Sequence, residues 1–304
     1  MSQSAHPMRK FFAPALLLGS LSTSVHAQPV ASAIREAPSI SMTYADLVDL
    51  ALPAKLVVKA QITAQSTIKP GLATDVAPGK VRLYFEAQTT ALLIGPDTGS
   101  VLRFLADVPL DARGKVPRLR KLPVILMAAP VAGRPGELKL VTPDAMLPWS
   151  PELENRLRPI LTELVNPNVP PPVTGVREAM HVPGNLAGEG ETQVFLSTPE
   201  GQPASLSIVR RPGQPATWGV SYSEIVDQSA RPPRPETIGW YRLACALPAT
   251  LPARSVISGT AEDRRIAAED YAQVIRELGP CTRTRLPAAS GAVPASTTTP
   301  APAS

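Results

Sequence analysis

Residues 81–88, Val-Arg-Leu-Tyr-Phe-Glu-Ala-Gln, decide the fold class. Val81, Leu83, Phe85 and Ala87 alternate with Arg82, Tyr84, Glu86 and Gln88. A period of two sends successive side chains to opposite faces of a strand, one buried and one wet. That pattern belongs to an antiparallel sheet with one face on a core. Thr89 to Ile94 continues the run past a bend.

Working outward, the segment Leu56 to Ile62 is a β-branched apolar run. Ahead of it, Thr43 caps a short helix that reaches Ala51, with Asp46 three residues on and Pro53 as the stop. On the other side, Val101–Leu105, Val124–Ala129 and Glu137–Val141 read as further strands. The Pro-Gly, Gly-Pro and Arg-Pro-Gly breaks between them are turn chemistry. Ser150 then caps a helix with Pro151 at its first position. Leu153, Leu157, Ile160, Leu161 and Leu164 give it one apolar face, and Pro159 predicts a kink. The count and order of these strands resemble an OB-type barrel, at the level of fold only, closed by this helix and spanning 43–165.

Residues 166–175, Asn-Pro-Asn-Val-Pro-Pro-Pro-Val-Thr-Gly, predict a semi-rigid linker. A second unit over 176–285 follows. Its expected strands are Thr192–Ser197, Ser205–Ile208, the alternating set Trp218, Val220, Tyr222, and Ile238–Leu247, the last carrying Cys245. Thr260 caps a final helix over 261–278, with Glu262 and Asp263 complementing its dipole and Gly279-Pro280 ending it. Its apolar face has one polar break at Asp270. The expectation is an α+β protein with two mainly antiparallel β domains, an OB-like barrel plus closing helix and a sheet plus C-terminal helix with a disulfide.

The N-terminus reads as a secretory signal over 1–27. Arg9 and Lys10 precede a short apolar run from Phe11 to Leu18, and Val25-His26-Ala27 is a small-x-small cleavage pattern. Residues 28–42 are a polar lead-in, and 286–304 are an Ala/Pro/Ser/Thr-rich tail without the means to bury a core. No run after the signal is long enough to span a bilayer. Export to the periplasm or medium is therefore expected. Cys245 and Cys281 are the only two cysteines, and an even pair in an oxidising compartment predicts a disulfide.

Composition excludes several classes. Apolar residues make up 44%, enough for a core, and 36 of 304 residues are proline, too many for a helical bundle. Aromatic residues are 4%, so the cores are aliphatic. Trp149, Trp218 and Trp240 are read as core corners, with carbohydrate stacking as the alternative for any one of them. Of three histidines, His6 and His26 leave with the signal and only His181 remains. That is too few for a zinc site of Cys/His type, and no Gly-x-Ser-x-Gly elbow, phosphate loop or dinucleotide motif is present. Ser66-Thr67-Ile68-Lys69 matches the Ser-x-x-Lys pair of penicillin-binding enzymes, but that pair needs helical spacing and here follows a strand. No cofactor and no metal is implied.

Two constellations remain. Arg113, Lys115, Arg118, Arg120 and Lys121 place five cations in nine residues with no acid among them. They suit an anionic ligand, or a solvated hairpin loop. Nucleic acid is not expected, because no aromatic residue interleaves to stack bases. The second constellation is the glycine-rich stretch 181–192, with His181, Glu189 and Glu191. It suits a general base beside a carboxylate, or a plain loop leading into a strand. The leading reading is a non-catalytic, exported binding or envelope-associated protein whose basic loop meets an envelope protein or anionic envelope component. The alternative is a periplasmic hydrolase using His181 with Glu189 or Glu191.

Overall fold

A computed structural model describes residues 42–285, apart from 74, 224–229 and 258. The signal (1–27), most of the lead-in (28–42) and the tail (286–304) lie outside the described residues. Helix α1 (Tyr44–Ala51) starts at the expected cap. Thr43 Oγ1 accepts the Asp46 N–H at 3.1 Å, and Thr43 N–H donates back to the Asp46 carboxylate at 2.9 Å.

Strands β1 (Leu56–Thr67), β2 (Lys80–Ile94), β3 (Val101–Pro109), β4 (Pro123–Pro130) and β5 (Glu137–Leu140) close into a barrel in the order β1-β2-β3-β5-β4-β1. All pairings are antiparallel except β3 with β5, which is parallel. A short strand β6 (Met146–Pro148), absent from the sequence reading, adds to β4. The opening alternation is realised over Leu83, Phe85 and Ala87, which are buried, while Val81 is half-buried, and Phe85 stacks on Phe104 with ring centroids 5.4 Å apart. β2 runs through Ile94 as one strand. The bends lie in its partner, where irregularities at Val57/Val58, Lys59/Ala60 and Ile62/Ala64 let the long ribbon coil into a barrel. Gly95 ends β2 at φ 103°, and a Cβ there would lie 2.4 Å from the Lys55 carbonyl oxygen, so only glycine fits.

Helix α2 (Pro151–Leu164) follows, capped by Ser150, with Leu157, Ile160 and Leu161 buried. The second sheet is antiparallel in the order β10-β9-β8-β7, from β7 (Gly175–Pro183), β8 (Gly190–Ser197), β9 (Ser205–Arg210) and β10 (Thr217–Ser221). Helix α4 (Ala261–Leu278) packs on β7 and β8 and buries Ala267, Tyr271, Val274 and Leu278. Apolar side chains of both sheets and of all four helices join one continuous core.

The second half departs from expectation in two places. Ile238–Leu247 is not a strand: α3 (Ile238–Ala244) is a helix, and Cys245 caps its C-terminus. Its Ile, Trp and Tyr content favours strand on propensity alone. Thr237 decides otherwise by accepting the Trp240 N–H at 3.2 Å, and the Ile238 N–H is taken by the Glu163 carboxylate at 2.8 Å. The second departure is β7, a strand where the sequence suggested only linker and loop. Its buried residues are Ala179 and His181, while Val182 is exposed and Val176 and Met180 are half-buried. A bulge between Val176 and Glu178 sets that face.

The disulfide is formed between Cys245 and Cys281. It links the end of α3 to the segment after α4, rather than a strand to a helix. That segment is clasped further against α1: Arg283 pairs with Asp49 at 2.6 Å, and the buried Asp46 accepts the Thr284 and Arg285 backbone N–H groups, each at 3.0 Å. No helix among the described residues is long and apolar enough to cross a membrane.

Candidate functional site

The basic cluster occupies the connection from β3 to β4, and the fold holds that loop by its backbone. Asp111 Oδ1 accepts the N–H groups of Arg113 and Lys115, both at 2.8 Å. Gln65, half-buried on β1, acts as a clamp: its amide nitrogen donates to the Pro117 carbonyl at 2.8 Å and its oxygen accepts the Leu119 N–H at 2.7 Å. Lys121 N–H donates to Ile62 O at 2.8 Å, and Gln61 reaches the Lys121 carbonyl at 3.3 Å. These bonds hold Lys121 at φ 70°, a conformation costly for a residue with a side chain and kept only where the surroundings over-determine it.

Arg113, Lys115, Arg118, Arg120 and Lys121 are all exposed. Among the described residues none of the five makes an ion pair. A fixed backbone thus carries five cations that pair with no carboxylate among the described residues. A disordered loop would lose entropy on binding; this one has already lost much of it in folding.

The barrel wall provides a contrasting surface. A cleft of about 750 Å³ opens over β2, β3 and β5, the face on which OB-type barrels carry ligands. Its floor includes Phe104, Leu105 and Leu138, and its basic residues include Arg82, Arg103 and Arg134. Each of these arginines is already committed. Arg82 pairs with Asp107 at 2.7 Å and Asp75 at 2.6 Å, Arg103 with Glu86 at 3.5 Å and Arg134 with Glu137 at 3.1 Å. The hydrogen bonds to Asp107 and Asp75 raise the Arg82 guanidinium above its usual range. The Leu110 N–H bonds Gly79 O at 2.9 Å, tying the root of the basic loop to the β1–β2 loop, which contributes Ile68 and Asp75 to the cleft.

His181 sits on β7, 6% exposed. Its Nδ1 lies 2.9 Å from Thr192 Oγ1, and that hydroxyl donates to Asp270 Oδ2 at 2.5 Å. Since Thr192 has one proton and gives it to Asp270, its oxygen accepts from His181, which places a proton on Nδ1. Arg210 Nη2 pairs with the other Asp270 oxygen at 2.6 Å. Gly190 lies against the ring, where a Cβ would come 2.6 Å from His181 Cε1. The described contact of His181 is to Thr192, whereas Glu189 and Glu191 are bonded elsewhere. Glu189 accepts the N–H groups of Asn185 and Leu186 at 3.1 and 3.2 Å, and Glu191 accepts from the Gln193 amide. The chain from His181 through Thr192 to Asp270 joins two strands to α4. Asp270 was visible in the sequence as the polar break in an apolar helix face, and a carboxylate there demands a partner; Thr192, Arg210 and the Gln65 clamp left no such signal.

The tryptophans fill corners with their N–H groups satisfied: Trp149 by Glu154 at 2.6 Å, Trp218 by Glu277 at 2.6 Å and Trp240 by the Leu278 carbonyl at 2.8 Å. Among the described residues no group of three or more His, Cys, Asp or Glu is placed to hold a metal ion. The sequence matches no protein-family model and no curated protein.

Proposed function

We propose that this chain is an exported, non-catalytic binding protein of the cell envelope, whose β3–β4 loop docks on an anionic partner. The observation that carries the reading is the loop itself: five exposed cations, without ion pairs among the described residues, on a backbone clamped by Gln65. Arginine suits this role because its planar fork takes carboxylate or phosphate in two parallel hydrogen bonds. The ion-paired arginines of the cleft lack that freedom. The disulfide supports export, since such bonds persist in oxidising compartments.

Replacing Arg113, Arg118 and Arg120 together with Ala tests the reading. The substituted side chains are exposed and unpaired, so unfolding should be unchanged. Co-fractionation with the envelope should fall and lose its salt sensitivity. Unchanged, salt-sensitive co-fractionation of the triple variant overturns the assignment of the loop.

A further inference from the structure

Strands β1 and β3 run toward one end of the barrel and β2 and β4 run back from it, so the β1–β2 and β3–β4 loops leave the same end. The Leu110 N–H, bonded to Gly79 O at 2.9 Å, ties their roots together. Residues 68–79 and 110–122 hold six cations, Lys69 and the five of the basic loop, against two acids, Asp75 and Asp111. Both acids are engaged within the fold. Asp75 pairs with Arg82 at 2.6 Å, and Asp111 Oδ1 accepts the Arg113 and Lys115 N–H groups. Lys69 is exposed and, like the five, makes no ion pair among the described residues.

Apolar side chains stand out from this basic end. Leu72 closes a single tight turn over Pro70–Leu72, where its N–H donates to Lys69 O at 2.8 Å. At 78% exposure it is the most exposed large apolar side chain among the described residues. Val116, between Lys115 and Arg118 in the basic loop, is 40% exposed. Single exposed apolar side chains are ordinary; the charge around these two sets them apart. Leu186 gives the contrast: it is 63% exposed, but its loop, 184–189, carries Glu189 and no cation. An anionic bilayer is the surface that uses both features at once. Its headgroups attract Lys and Arg within a Debye length, and its acyl boundary takes up an apolar tip. A soluble polyanion would use the charges and leave Leu72 in water.

Resting on the reading of the basic loop as an anion-docking surface, we propose that its partner is an anionic lipid bilayer. Leu72 and Val116 enter the acyl boundary, while Lys69 and the five loop cations lie among the headgroup phosphates. Each contribution is weak alone, and together they give reversible peripheral attachment.

The test is sedimentation of the protein with vesicles of phosphatidylglycerol and phosphatidylcholine, comparing wild type with the Leu72→Ser, Val116→Ser double variant and with Leu186→Ser. All three side chains are exposed, so unfolding should be unchanged. The double variant should bind about tenfold more weakly yet keep the wild-type salt slope, because it loses apolar area and no charge. Leu186→Ser should bind like wild type. A second readout reports insertion itself. Both native cysteines are bridged, so an environment-sensitive fluorophore on Leu72→Cys labels one site. Its emission should brighten and shift to the blue on vesicle binding, and the same dye on Leu186→Cys should not respond. Equal binding by wild type and the double variant, or an unshifted dye at position 72, overturns the insertion; weakened binding by the Arg113, Arg118, Arg120 triple variant would still uphold the loop. Binding of wild type to soluble polyglutamate but not to vesicles would make the partner an acidic protein and overturn the bilayer alone. Binding to neither would overturn the bilayer and the loop together.

Discussion

Asp46→Asn is the sharpest perturbation of the architecture. The Asp46 side chain is fully buried and takes four donors: Thr43 N–H at 2.9 Å, Thr284 N–H at 3.0 Å, the Thr284 hydroxyl at 2.5 Å and Arg285 N–H at 3.0 Å. One carboxylate thus caps α1 and holds the C-terminal segment across it. Asparagine keeps one acceptor oxygen; placed at the Oδ2 position it retains Thr43 and Thr284 and turns its NH₂ toward the Arg285 N–H, stranding at least that donor. Each stranded buried donor costs about 1–3 kcal/mol. The net loss is about 2 kcal/mol, or about 6 °C in midpoint for a unit of this size. Burial by itself raises the Asp46 carboxyl, but the hydrogen bonds from Thr284, Arg285 and Thr43 outweigh it and hold the group well below the usual carboxylate range. A depressed folded-state value stabilises the fold above the unfolded value of about 3.9, and that contribution is lost as pH falls toward the folded value. Urea unfolding followed by tryptophan fluorescence should therefore show a constant gap between wild type and variant from neutral pH to about pH 5, narrowing below about pH 4. A neutral-pH gap under about 0.5 kcal/mol, or one that widens in acid, would refute this reasoning.

Two further outcomes concern the second half. Replacing Cys245 and Cys281 together by Ser should cost about 4 kcal/mol in the same urea assay, the chain entropy released by opening a loop of sequence separation 36; intact mass should show no alkylatable thiol in the unreduced protein. Thr192→Val keeps the shape but removes the hydroxyl between His181 and Asp270. It should cost about 2 kcal/mol, and a neutral result would mean that the chain from His181 to Asp270 does not hold α4 to the sheet.

The barrel was legible because Val81–Gln88 states its period without ambiguity and the turns around it carry Pro and Gly. The helices over 151–164 and 261–278 were legible from their caps and single apolar faces. β7 was not, because its buried residues are Ala179 and His181 while the more hydrophobic Val182 faces outward, the reverse of what an apolar count expects. α3 was misread because a short run of Ile, Trp, Tyr and Leu suits either element, and a tertiary bond from Glu163 helps settle it. The basic loop could be seen because its charges are neighbours in sequence. Its clamp could not, since Gln65 reaches residues more than fifty positions away.

The central claim, that the β3–β4 loop is an anion-docking surface, is tested most directly by salt titration of binding to vesicles containing anionic lipid, using wild type and the Arg113→Ala, Arg118→Ala, Arg120→Ala protein. Released counterions and Debye screening make binding through exposed cations fall steeply with salt. The account predicts that wild type binds at low ionic strength and is released as salt rises, and that the triple variant binds weakly at every concentration with a flatter slope. Identical curves for the two proteins would contradict it.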